Sequence, residues 1–275
     1  MEAFHFGAPG RRLFGCFHAA TAGPARQAVL ICGPYGQELV RAHRMLRVLA
    51  ERLARQACDV LRFDPYGSGD SAGHDEELDW PGWVADVQAA AAELRARSRA
   101  TQQVWIGARL GASVACEAAS RVNPPPAALV LCEPVLDGPE YLHSLALATV
   151  EALEASCSIR DPAWRRSLQS DPQRWEREAV GFAMGEPLHA RLRGFSAASL
   201  PMSARRPVWM LSSGTAPRYG EQAARWREQG IPAHHEALPF AFDWTAEEAL
   251  NTALVPHEML QRLVDLASAA LQGPR

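Results

Sequence analysis

The stretch Trp105–Ser113, WIGARLGAS, contains the residues whose spacing is most specific for chemistry. Gly107 and Gly111 bracket Arg109 in the frame G-x-S-x-G, between an apolar run and a helix-forming run. In this frame, a nucleophile elbow, two glycines permit a strained strand-to-helix turn and the central side chain projects at the helix N-terminus. The usual central residue attacks a carbonyl. Arginine cannot, because its guanidinium keeps its proton beyond a pKa of ~12 and offers donors only. It can bind negative charge there, since a forked cation and free helix N–H groups both favour a carboxylate or phosphate. The alternative is neutralisation inside the chain, with Glu133, Asp137 or Asp64 as the expected partner.

Other groups of catalytic type have weaker contexts. Ser113 falls in the first helical turn after Arg109, where a hydroxyl is expected to satisfy free backbone N–H groups. Cys116, one turn further, is expected to be buried and inert. Ser68 and Ser71 sit in a GSGDS loop and are expected to stabilise the turn itself. His74, His234 and His235 have no motif partner and read as surface or hydrogen-bonded structural histidines. His257 stands in Pro256-His257-Glu258, which already reads as a first helical turn.

Composition removes several chemistries. All 28 basic residues are arginine, an Ala- and Arg-rich bias of the kind a GC-rich genome produces. Without lysine there is no Schiff-base anchor, no P-loop or kinase lysine and no Ser-x-x-Lys dyad. Six cysteines are scattered without a C-x-x-C pair or metal-like spacing, and no metal or cofactor is expected. A net charge of −3 argues for neither nucleic acid nor an acidic membrane surface. The acidic start MEAFHFGAPGRR and the lack of an 18-residue apolar run point to a soluble, cytoplasmic protein.

The elements that must position these residues alternate strand and helix. Short strands are expected near Ala3–Phe6 and Leu13–Ala19. Ala28–Cys32 is a continuous apolar run, the pattern of a strand buried on both faces. A helix follows over Glu38–Gln56, then a strand Asp59–Phe63, a helix Trp80–Ser98, a strand Gln103–Ile106, a helix to Val122 and a strand Ala128–Cys132. The rhythm predicts a parallel sheet covered on both faces. Residues 137–206 break it with a helical pattern containing Trp164 and Trp175 and no convincing strand, which reads as a cap inserted into a core of 1–136 and 207–275. The sheet resumes at Val208–Leu211, with a helix Gly220–Gln229, a strand Ala233–Leu238 and a closing helix Pro256–Leu271. A dinucleotide loop at GARLGA is disfavoured, because G-x-G-x-x-G is absent and the strand is not the first of the sheet.

The motifs CGPYGQE (Cys32–Glu38), RAHR (Arg41–Arg44), RFDPYGSGDSAG (Arg62–Gly73), GARLGA and EPVLDGPEYL (Glu133–Leu142) resemble the α/β-hydrolase superfamily over nearly the whole chain. The resemblance is closest to its serine-aminopeptidase-like branch and, within that, to exosortase A system-associated hydrolases of bacterial exopolysaccharide clusters. It implies a mostly parallel eight-stranded sheet and acyl-transfer hydrolysis by Ser, His and an acid beneath the cap. It implies an oxyanion hole from the N–H of Leu110 and that of Tyr35 or Gly36. This chain departs from that pattern at the nucleophile, Arg109. The acid is also missing from SSGTAPRYG, leaving Glu133 or Asp137 as a displaced acid, and the histidine position falls near His257. Two readings follow. One is a non-catalytic hydrolase-fold protein that binds a small acyl or anionic molecule, a protein partner or its own copies in a bacterial biosynthetic pathway. The other is a hydrolase or acyltransferase acting on an ester, thioester or amide with rearranged catalytic groups.

Overall fold

A computed structural model of the chain describes residues 1–155, 162, 163, 166, 170, 177–202, 206–214, 216–239, 244 and 256–269. Its centre is an eight-stranded sheet of β1 (Glu2–Phe6), β2 (Leu13–His18), β3 (Gln27–Cys32), β4 (Cys58–Asp64), β5 (Gln103–Ala108), β6 (Ala128–Cys132), β9 (Val208–Ser213) and β10 (Ala233–Leu238). The spatial order is β1-β2-β4-β3-β5-β6-β9-β10. β2 is antiparallel to both β1 and β4; the remaining pairs are parallel.

The apolar runs explain the layering. All six residues of β3 are buried, and alternate side chains leave by opposite faces. Val29 and Ile31 pack with Val60, Ile106 and Val130 against α1 (Gly36–Arg55) and the closing helix α7 (His257–Ala269). Leu30 packs with Leu61, Trp105 and Leu129 against α2 (Trp80–Arg97), α3 (Arg109–Arg121) and α6 (Pro217–Glu228). Asp79 starts α2 by accepting the N–H of Gly82 at 2.6 Å, which satisfies a donor that the first turn leaves free.

The chain runs from β3 outward to β4, then crosses back so that β5 lies on the other side of β3. Such a reversal opens a crevice beyond the carboxyl ends of the two central strands, the usual ligand position in open α/β sheets. Both α1 and α3 begin there, on opposite faces of the sheet.

Between β6 and β9 lie α4 (Gly138–Ala155), α5 (Glu186–Arg193) and a hairpin of β7 (Glu178–Ala179) with β8 (Phe182–Ala183). The hairpin corrects the expectation of a strand-free insertion. Two-residue strands are too short to show a period-2 pattern, and Val180 and Gly181 turn between them with positive φ. The segment is tied to the sheet side: Tyr35 donates its hydroxyl to the Ala183 carbonyl at 3.1 Å, and the Ala183 N–H donates to Asp75 at 2.9 Å. Trp164, Trp175 and the expected last residues of the closing helix, Ala270 and Leu271, lie outside the described residues. Among the described residues no helix is long and apolar enough to cross a membrane.

Candidate functional site

The turn from β5 into α3 is held by its glycines. A side-chain carbon on Gly111 would fall 1.9 Å from the Gly33 carbonyl oxygen, and one on Gly107 would fall 2.4 Å from Ala112 Cα. Only glycine lets the start of α3 press against the loop after β3. Arg109 sits between them with φ +51°, a left-handed conformation that costs a non-glycine residue strain and is held by its surroundings. Leu110 is buried in the first turn of α3. Across the crevice, Tyr35 is buried just before α1, which Gly36 opens with φ +56°.

Arg109 is turned onto Glu38, a residue of the first turn of α1. Its Nε donates to Glu38 Oε1 at 2.9 Å, with the arginine side chain 15% exposed and the glutamate 2%. Tyr141, from α4, donates its hydroxyl to Glu38 Oε2 at 2.9 Å. The guanidinium carbon lies 5.6 Å from the Tyr141 ring centroid, within cation–π reach. Burial alone would lower the guanidinium pKa; the charge of Glu38 and the facing Tyr141 and Tyr219 more than reverse this and hold it above its usual value. The remaining donor contact is long, Arg109 Nη1 to the Glu133 carbonyl at 3.5 Å.

The partner of Arg109 is therefore Glu38, and not Glu133, Asp137 or Asp64. A glutamate in a first helical turn has an ordinary explanation, attraction to the helix dipole, so local context does not single out Glu38. The available signal was topological: the loop after β3 must face the turn after β5, and Glu38 is its nearest acid.

Glu133 has another task. It follows β6 with φ +45°, and its carboxylate accepts the N–H of Ser213 at 2.7 Å, the Ser213 hydroxyl and Trp244 Nε1–H at 2.8 Å. The carboxylate thus carries the kind of hydrogen bond that an imidazole N–H makes in a triad, but from an indole. Asp137 caps α4 by accepting the Glu140 N–H at 2.8 Å. Ser113 is fully buried and donates to the Val135 carbonyl at 2.6 Å, instead of accepting from free N–H groups as expected. Cys116 is buried, and burial pushes its thiol up to about 12.

His257 is exposed as the first residue of α7. His235 meets Ser212 at 2.9 Å, and His234 stacks on Trp209 at 4.1 Å. His74 donates its backbone N–H to Glu77 at 2.8 Å. Ser71 donates to the Asp64 carbonyl at 2.6 Å and accepts from the Phe14 N–H at 2.8 Å, so it braces its loop.

A cavity of about 80 Å³ lies beside Arg109, walled by Val135, Tyr141, Arg218 and Tyr219. Arg218 is paired with Glu140, so both cations on this wall already have a carboxylate. Among the described residues no group of three or more His, Cys, Asp or Glu could hold a metal ion.

A family model described as serine aminopeptidase, S33, matches residues 23–187. Over whole chains, the structure is similar to Est1E of Butyrivibrio proteoclasticus, solved with ferulic acid bound. The two are 15% identical with a TM-score of 0.64, covering 95% of this chain and 99% of that one. Proline iminopeptidase of Mycobacterium smegmatis is similar at 12% identity and TM-score 0.63, with 98% of each chain covered. An esterase of Pyrococcus furiosus matches at 15% identity and TM-score 0.61, over 96% of this chain and 88% of its own. No curated protein sequence matches.

Proposed function

We propose, for a chain that belongs to the serine aminopeptidase S33 family of α/β-hydrolase-fold proteins, that it is a binding protein whose nucleophile elbow has become an internal ion pair. The observation that carries this reading is the Arg109–Glu38 contact: the residue at the strained turn is a cation, and its Nε is spent on a buried carboxylate. A guanidinium cannot lose a proton to become a nucleophile. Neighbouring groups support the same reading. The Ser113 hydroxyl is engaged and buried, Cys116 is held protonated by burial, and the donors on Glu133 from the described residues are Ser213 and an indole, with no imidazole among them.

In this reading the space beside Arg109 takes at most a carboxylate- or phosphate-sized group, because about 80 Å³ admits only a few water-sized molecules. The ligand is then the small polar end of an acyl compound rather than a free anion, since Asp137 and Glu140 also line this space and both guanidiniums there already face a carboxylate, and a protein partner or second copy of the chain is the alternative occupant of the role. The setting, a bacterial biosynthetic pathway such as exopolysaccharide assembly, rests on the motif resemblance alone.

The test is turnover by the purified protein on a panel of esters, thioesters and aminoacyl amides, chosen because solved structures of the same fold include esterases and an iminopeptidase. Labelling with a fluorophosphonate completes it. The expected result is neither turnover nor labelling. Turnover that disappears on changing Arg109, Glu133 or His257 would overturn the proposal in favour of a rearranged hydrolase.

A further inference from the structure

A second cavity, larger than the one at Arg109, lies elsewhere among the described residues. It has a volume of about 490 Å³ and lies between the first half of α1 and the antiparallel side of the sheet. Neither Arg109 nor Glu133 lines it. Its walls are mainly apolar, with Phe14 from β2, Ile31 from β3, Leu39 and Val40 from α1, and Phe182 from the hairpin. The volume and the apolar lining suit a small-molecule site, in which a few polar groups fix the ligand's orientation. Val40 is 45% exposed while lining it, so the cavity reaches solvent on that side.

The polar groups come from one face of one strand. Arg62 and Asp64 are alternate residues of β4 and project to the same side, opposite Cys16 and Phe14 on β2. Arg62 has five N–H donors but, among the described residues, one acceptor, His43 Nε2 at 3.2 Å. That contact requires the imidazole nitrogen to be unprotonated, so His43 adds no charge. Asp64 spends one carboxylate oxygen on the Asp70 N–H at 3.1 Å, and Asp70 also lines the cavity.

This wall therefore offers spare donors from a guanidinium beside spare acceptors from a carboxylate. An anionic head group would be repelled by Asp64 and Asp70. A cationic head would meet Arg62. A hydroxyl both donates and accepts, and so suits the two neighbours together. We propose that this cavity binds a neutral amphipathic small molecule, with its apolar chain between α1 and the sheet and a hydroxylated head on Arg62 and Asp64. The proposal does not depend on the elbow reading, since the two cavities share no lining residue.

Isothermal titration calorimetry on the whole chain tests it, using n-octyl β-D-glucoside at concentrations too low for micelles. Sodium octanoate and octylammonium chloride serve as the anionic and cationic amphiphiles of equal chain length. The glucoside is expected to bind one to one and at least tenfold more tightly than either. Val40→Trp, which fills the opening from an exposed position, and Arg62→Met, which keeps the stem and removes the donors, are each expected to weaken it at least tenfold. Circular dichroism should show both variants folded. No glucoside binding, a preference for octanoate or octylammonium, or affinity that survives either substitution in a folded variant would overturn the proposal.

Discussion

Arg109 and Glu38 lie 71 residues apart in the chain and join first helical turns on opposite faces of the sheet through a 2.9 Å hydrogen bond. The contact bridges the crevice where the strand order reverses. Tyr141 closes it from α4 by holding the second oxygen of Glu38.

Removing one charge leaves the other buried without compensation, a loss of about 3–5 kcal/mol. Glu38→Gln and Arg109→Met should each approach that range in urea unfolding. The double variant should cost less than the sum of the single changes, by about 2 kcal/mol. Strict additivity would show that the pair does not act as a unit.

Arg109→Ser restores a hydroxyl at the turn but no base. It should hydrolyse p-nitrophenyl acetate no faster than the unaltered protein, because the donors on Glu133 are Ser213 and Trp244 and His257 is exposed on α7. A gain in turnover would mean that an unsuspected base reaches the turn.

Trp244→Phe tests the Glu133 cluster by itself. It removes one of three donors from a buried carboxylate and leaves the Ser213 pair in place. The expected cost is about 1–3 kcal/mol in chemical unfolding. No change in midpoint would argue that the indole contact contributes nothing.

His18 gives a pH dependence. It is buried on β2 with Nε2 unpartnered among the described residues, and burial, reinforced by Arg62, pushes its pKa from 6.5 down to about 4. The unfolded chain therefore takes up the proton more readily. Stability is unaffected above pH 6.5 and is lost as pH falls from 6.5 towards 4. Between pH 7 and 5 this one group contributes a loss of about 2 kcal/mol. His18→Gln should lose about that much less over the same interval, measured as the difference between urea midpoints at the two pH values.

Gly111→Ala places a methyl group 1.9 Å from the Gly33 carbonyl oxygen, an atom of the backbone. Neither segment can withdraw without breaking the strand-to-helix turn, so a loss above about 4 kcal/mol is expected, at the severe end for a single substitution. Gly10→Ala, where no atom lies within 4 Å of the added carbon, is the matched control and should be close to neutral.

Most of the fold was legible because buried parallel strands leave a strong local trace. AVLIC and ALVLC are continuous apolar runs, and the observed strands Gln27–Cys32 and Ala128–Cys132 coincide with them. Helix ends were less legible. The helix expected from Glu38 begins at Gly36, and the one expected from Gly220 begins at Pro217, because polar first turns carry no periodic signal. The small hairpin at Glu178–Ala183 left none at all.

What Arg109 cannot do is fixed by local chemistry. Its place between two glycines after a buried strand, and a guanidinium that keeps its proton, follow from residue identity and spacing. Which carboxylate neutralises Arg109 was decided only in three dimensions. Along the chain Glu133, Asp137 and Asp64 are equally suited, yet Glu133 is taken by Ser213 and Trp244, Asp137 by the start of α4, and Asp64 holds the Asp70 N–H. Glu38 won because strand order brings the loop after β3 against the turn after β5. Pairing across a sheet depends on which ends are neighbours in space, and local sequence does not encode that. The cavity at Arg62 arose the same way: its two polar residues sit two apart on one strand, but only packing of α1 over the sheet encloses them.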